Sequence, residues 1–172
     1  DATAPEDYTL TLNTTAARDD SVGPWYDTAP TSTLVTLGTD NNASGTHIAY
    51  CFAPIRGYSA MGFYRGNVNA DGPFIYTGFR PAFVLTKPAN YGSHWVISDD
   101  KRPGYNPAAA SDLSLQPNST ASEVTEARMD LLSNGFKINS SAGEVNQAYD
   151  YIYSAFAAFP IVSSNDVPTV AR

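Results

Sequence analysis

The sequence predicts an all-β protein, an antiparallel β-sandwich, and three observations predict it. Charged residues are 16% of the 172 positions, against 42% hydrophobic and 12% aromatic. The polar surface must then come from Ser, Thr, Asn and Gly, and not from the Lys/Glu faces of helices. Twelve Gly and twelve Pro cut the chain into short aromatic and β-branched runs. A strand-like sextet also occurs twice.

Taken in order, strands are predicted at 8–12, 33–37, 47–52, 74–77, 82–86, 95–98, 136–139 and 149–156. Each is a run of β-branched or aromatic residues bounded by turn formers. Asn134-Gly135 lies between two apolar runs and predicts a hairpin with a type I′ turn, whose two central residues need positive φ. Residues 122–132 carry Val124, Ala127 and Leu131 at helical spacing, with Thr120 and Glu123 placed like a capping box. A helix is one reading of that stretch. The hairpin signal directly after it favours a loop followed by a strand.

The repeat sets the organisation. Ile48-Ala49-Tyr50-Cys51-Phe52-Ala53 returns as Ile152-Tyr153-Ser154-Ala155-Phe156-Ala157, and Asn13-Thr14-Thr15-Ala16 returns as Asn118-Ser119-Thr120-Ala121. The offsets are 152 − 48 = 104 and 118 − 13 = 105. The chain therefore reads as the C-terminal half of one unit (1–56), a complete sandwich unit (57–162) and a C-terminal tail (163–172). A half unit cannot bury its own apolar face or pair its own edges. It needs completion by preceding chain, by the second unit or by another subunit. In both sextets the two faces are largely apolar, as in a central strand or one with its outer face in an interface.

The totals exclude several classes. A formal charge of −7 repels phosphate backbones, so nucleic acid is not an expected partner. No run of 18 apolar residues exists for a membrane helix, and no membrane insertion is expected. The start, Asp1-Ala2-Thr3-Ala4-Pro5, has neither Met nor an apolar leader, which suggests a fragment or a processed product. The lone Cys51 excludes an internal disulfide and suits a reducing cytoplasm. In an apolar run it is expected as a small buried hydrophobe. With two His and one Cys, a His/Cys metal site is hard to build, and no cofactor is expected.

The sextet 48–53, Gly57-Tyr58-Ser59 and the long run Asp71-Gly72-Pro73-Phe74-Ile75-Tyr76-Thr77-Gly78-Phe79-Arg80-Pro81-Ala82-Phe83-Val84 resemble a repeat module of tail and fibre proteins of tailed, often marine, bacteriophages. The likeness continues through Trp95-Val96-Ile97-Ser98-Asp99, Arg102, Tyr105-Asn106-Pro107, Leu132-Ser133-Asn134-Gly135-Phe136-Lys137 and 151–157. Residues 12–17 and 28–32 are similar to the same module's back half, and 167–172 to its natural end. The chain departs from the pattern at Tyr64-Arg65-Gly66-Asn67, where Thr precedes the Gly, and at Lys87-Pro88, where a second basic residue is usual. The resemblance implies a lectin-like β-sandwich of the concanavalin-like jelly-roll kind. It implies a virion location after assembly in the bacterial cytoplasm, and no transferable catalytic residue. The expected partners are other copies of the chain, as a trimer by the usual symmetry of fibres, other virion proteins, and a host surface glycan or protein. The alternatives are a purely architectural capsid-decoration or fibre-shaft protein, and a glycan depolymerase.

Sugar recognition stacks rings on Trp or Tyr. Trp25, Tyr26, Tyr91 and Tyr105 lie in loop-like context and are the candidate ligand-binding residues. Packing between subunits is the alternative use of the same residues. Trp95, in a strand, is expected in the core. Asp99 and Asp100 are weak metal candidates, because calcium needs six to eight oxygens. A turn in which Asp99 pairs with Arg102 is the preferred reading. Asp19-Asp20 and Asp40-Asn41-Asn42 read as turns, and so do the glycosylation-like triplets at Asn13, Asn42, Asn118 and Asn139. His47 and His94 have no nucleophile elbow beside them. Glu6, Glu123, Glu126 and Glu144 lie in polar stretches with nothing to raise a carboxyl pKa, so no catalytic residue is assigned.

Overall fold

A computed structural model describes residues 4–102, 106, 113–126 and 128–159. A 3-10 turn at Pro5–Asp7 leads into β1 (Tyr8–Thr9), which pairs antiparallel with β2 (Asp19–Asp20). A one-turn helix, α1 (Val22–Trp25), follows. The strands of the main body are β3 (Ser59–Arg65), β4 (Phe74–Tyr76), β5 (Pro81–Pro88), β6 (Val96–Asp99), β7 (Leu113–Ser114), β8 (Val124–Thr125), β9 (Met129–Leu132), β10 (Gly135–Ile138) and β11 (Asp150–Ala157). They build a four-stranded sheet, β3-β11-β5-β6, and a three-stranded sheet, β4-β10-β9, with β7 and β8 as a separate pair. All the pairings are antiparallel.

The two sheets pack as a sandwich. Tyr64, Tyr151, Ala155, Val84 and Val96 of the larger sheet meet Ile75, Met129, Leu131, Phe136 and Ile138 of the smaller in one buried cluster. Alternation along β11 sends Tyr151, Tyr153 and Ala155 inward and Ile152, Ser154 and Phe156 outward. Tyr64 and Tyr151 stack with ring centroids 5.0 Å apart, and Phe136 meets Tyr64 and Tyr153 edge-on. The buried hydroxyls are satisfied by the chain at 143–147. Tyr64 Oη donates to the Val145 carbonyl (2.8 Å), and Tyr151 Oη donates to Gly143 (2.8 Å) while accepting from Gln147 N (2.8 Å). Asn146, also buried, exchanges hydrogen bonds with Asn67 and donates to Asn69 O (2.6 Å). Polar side chains thus cross-link the loops to the core, where an unpaired group is costly.

The strands predicted at 74–77, 82–86, 95–98, 136–139 and 149–156 are present within two residues at each end. Over 122–132 the chain forms β8 and then β9, and not a helix. The strand predicted at 8–12 shrinks to two residues. Strand β3 was not predicted, because Gly62 interrupts its pattern. A Cβ there would lie 2.9 Å from the Tyr153 hydroxyl, so that ring would have to shift; glycine inside a strand marks such a close approach.

Three expectations are corrected. The predicted strands 33–37 and 47–52 are not strands, and Leu34, Ile48, Tyr50 and Phe52 are exposed. A strand exists only where neighbours take its hydrogen bonds. β11, the second copy of the sextet, has β3 and β5 on its two sides. Among the described residues no strand pairs with 47–53, so the first copy lacks such neighbours. For the same reason Cys51 is exposed, and not buried as expected. The shorter repeat does keep one conformation. Thr14 N donates to Thr11 O and Ser119 N to Gln116 O, while the Thr14 and Ser119 hydroxyls accept from Ala16 N and Ala121 N. A turn needs only its own side chains; a strand does not stand alone.

The hairpin correction is local. β9 and β10 pair with Leu132 opposite Gly135, so the turn residues are Ser133-Asn134. Neither has positive φ, nor does Gly135. Gly135 is kept small by its neighbour: a Cβ would overlap the Ile75 carbonyl oxygen on β4. Gly135→Ala should therefore cost about 1–3 kcal/mol through overpacking. In a urea titration the midpoint should fall with the slope unchanged; an unshifted midpoint would refute the close-packing account.

Candidate functional site

The outer surface of the sandwich carries the N-terminal segment. Trp95, buried as expected, donates from Nε1 to Thr11 O (3.1 Å) and from its backbone N to Asn118 Oδ1 (3.1 Å). Arg18 N donates to Ala89 O (2.7 Å). The fully buried Lys87 ammonium donates to the carbonyls of Thr15 (3.5 Å), Pro88 (3.0 Å) and Tyr91 (3.4 Å). It has three carbonyl dipoles and no carboxylate partner among the described residues. Burial lowers its pKa to about 8, because desolvation penalises the charged form.

With residues 11–18 anchored there, a small N-terminal platform forms. Ser21 caps α1 through its hydroxyl, which accepts from Gly23 N, and Tyr26 ends the helix in the left-handed region (φ 52°). Gly38 N and the Asn41 side chain both donate to Pro24 O (2.7 and 3.1 Å), which pins the chain at 38–41 to the helix. The Arg18 guanidinium lies 4.1 Å over the Tyr8 ring.

Between this platform, the Thr/Ser-rich chain at 28–36 and residues 51–53 lies an open groove of about 730 Å³. Trp25, Tyr8 and Phe52 supply its aromatic wall, and Thr31, Ser32 and Glu6 are among its polar groups. Its surroundings are acidic. Partial desolvation and then the charges of Asp27, Glu6 and Asp20 raise the Asp7 carboxyl above its ordinary range.

Of the four predicted ligand-binding residues, Trp25 lines the groove. Tyr26 is exposed on the adjoining helix cap, outside the groove lining. Tyr91 belongs to a different surface, after β5, where its ring stacks on Tyr149 at 4.3 Å. Tyr105 lies outside the described residues. Sequence reasoning missed Tyr8, assigned to a strand, and the hydroxyl-rich run 28–36. The only signal for either was the density of Thr and Ser before Leu34.

Asp99 accepts from Lys101 N and Arg102 N and pairs with the Arg102 guanidinium at 2.7 Å, and Arg102 also pairs with Glu123. This is the turn preferred from sequence. Asp100 pairs with Lys101. No group of three or more His, Cys, Asp or Glu able to hold a metal occurs among the described residues. Glu126 and Glu144 share the buried Arg128 (3.0 and 3.2 Å). Burial pushes the Glu144 carboxyl up, but its own backbone N–H and Arg128 outweigh that, and the net shift is downward. His47 Nε2 lies 3.0 Å from the Ala43 carbonyl oxygen, which accepts. No described helix is long and apolar enough to cross a membrane.

A family model, that of a domain of unknown function, matches residues 2–160. The chain belongs to the DUF7483 family. No curated protein and no solved structure gives a match. The DUF7483 match runs unbroken from the groove residues through the last strand of the sandwich, so platform and sandwich lie in one family match.

Lys87 makes the docking of the DUF7483 platform sensitive to pH. Its folded pKa, about 8, lies below the unfolded value near 10.4. The unfolded chain then binds more protons between those values, and stability rises with pH across that window. The desolvation penalty is fully present below about pH 8. Between pH 7 and 9.5 the gain should be on the order of 2 kcal/mol, and Lys87→Met should flatten it. Denaturant titrations at both pH values measure this; equal slopes in the two proteins would refute it.

Proposed function

We propose that the chain is a non-enzymatic binding module of a tailed-phage virion appendage, a tail fibre or receptor-binding piece, and that the groove beside Trp25 takes a host surface glycan. The observation that carries this reading is the groove itself, with Trp25 and Tyr8 rings facing hydroxyl-rich chain. Its volume, about 730 Å³, falls in the range of small-molecule sites, roughly 300–1,000 Å³. Aromatic faces cover the apolar side of a sugar ring, and Thr and Ser hydroxyls exchange hydrogen bonds with its own. The lectin-like jelly roll implied by the resemblance belongs to the same reading. So does presentation on an oligomer, where several weak sites act together.

The acidic surroundings select among glycans. The charges of Asp27, Glu6 and Asp20 lie close enough to raise the Asp7 carboxyl, beside its desolvation, and the whole chain carries −7. A neutral glycan suits this field better than a phosphorylated or carboxylated one. The reading is non-enzymatic because the one glutamate pair that shares a contact is neutralised by Arg128. A glycosidase needs one carboxyl held protonated and the other free.

A glycan array with the purified protein should give neutral-sugar hits. Trp25→Ala should weaken them roughly tenfold, the equivalent of about 1.4 kcal/mol of stacking. Tyr91→Ala, on the other surface, should leave them unchanged. An array with no hits, or hits indifferent to Trp25→Ala, would sink the proposal; release of new reducing ends would favour the depolymerase.

A further inference from the structure

Beside the groove, and sharing Phe52 with it, runs an apolar stretch that the described residues leave largely exposed. Ile48 is 78% exposed, Tyr50 80%, Phe52 67% and, on the neighbouring strand β3, Phe63 68%; Ile55 and Tyr58 are about half exposed. At ~200 Å² for a fully exposed large side chain, these six leave roughly 800 Å² of apolar surface in water. Roughly 800 Å² is what each partner contributes to a standard protein interface.

Beside this stretch lies an open sheet edge. β3 is the end strand of the order β3-β11-β5-β6, and no strand among the described residues pairs with its far side, the edge position that invites a further strand. In its own chain the sextet cannot fill that edge. Pairing starts with a single bridge, Ile55 to Ser59, and stops at Pro54, which has no N–H to give. The strand that β3 does accept on its other side is β11, the second copy of the sextet. Residues 47–53 therefore have the side-chain pattern that β3 already pairs with, and none of them carries a formal charge. In that pattern Ile48, Tyr50 and Phe52 match the outward residues of β11, and the small Ala49, Cys51 and Ala53 match its inward ones.

We infer that residues 47–53 of one copy add as a strand to the free edge of β3 in a second copy of the chain. The occupant is this same chain because the edge and the strand that fits it are both exposed on it. Closed rings of such contacts give a dimer or a trimer equally. The mode is β-strand addition, with main-chain hydrogen bonds supplying affinity and alternate side chains supplying register. The inference does not depend on the glycan reading, since Tyr50 and Phe63 lie outside the groove lining.

Sedimentation velocity of the full chain from about 1 to 100 µM should show self-association. Tyr50→Asp and, separately, Phe63→Lys should each raise the dissociation constant at least tenfold, with circular dichroism and melting unchanged. Both side chains are mostly exposed, so neither variant threatens the fold. Amide exchange across 60–65 should slow as the wild type associates and stay fast in Tyr50→Asp. A wild type that remains monomeric at every concentration overturns the inference, because the stretch must then be covered by something else or by nothing. An oligomer that both variants leave intact overturns it as well.

Discussion

Strand β11 hydrogen-bonds along both of its edges, and the rest of the molecule is arranged around that constraint. Seven register pairs tie it to β3 and seven to β5, and its inward Tyr151 and Ala155 are fully buried in the core that Tyr64, Val84 and Val96 of the other three strands share. Tyr151 uses this position fully. Its ring stacks on Tyr64 and its hydroxyl holds two backbone groups of the preceding loop. Glycines at 62 and 135 then allow the close approaches that this aromatic layer demands.

A chain with few charges still buries several polar groups, and three of them fasten loops. Asn146 gathers the turn at 67–69, Arg128 joins Glu126 to Glu144, and Lys87 gathers three carbonyls. Polar fastening of this kind specifies geometry more than it adds stability, because each buried group first loses its water. The consequence for function runs through Lys87 and Trp95. They hold residues 11–18 against the sandwich, and that docking places Tyr8 and Trp25 where the groove forms. The site is thus made of loops standing on a rigid sheet, the usual arrangement for recognition surfaces.

The groove and the open edge of β3 are neighbours through Phe52, which lines the one and meets Phe156 of the sandwich at 5.6 Å. A strand formed by 47–53 would draw Phe52 and Ala53 with it, so assembly and the shape of the groove are physically coupled. In the reading proposed above, the binding surface of the separate chain and that of the assembled one differ along this wall. The acidic residues belong to the N-terminal segment, with Glu6 in the groove lining and Asp7 and Asp20 on the adjoining chain, and do not move with 47–53.

The sequence by itself determined the fold class, five of the strands in the sandwich, the hairpin's location and the Asp99–Arg102 turn. These follow from patterns that act over a few residues: alternation, turn chemistry, a short ion pair. It also marked Trp25, though without Tyr8 or the run 28–36, because a groove is made by segments that only the docking of residues 11–18 brings together. Tertiary structure decided β3, whose Gly62 breaks the local pattern yet lies close beneath Tyr153. It decided that Ser133-Asn134 makes the turn, because Ile75 leaves no room beside Gly135. And it decided the unequal fates of the two sextets. Two sextets that share their Ile, Phe and last Ala form a central strand at 152–157 and an exposed chain at 48–53, since a strand's stability resides in the neighbours that accept its hydrogen bonds.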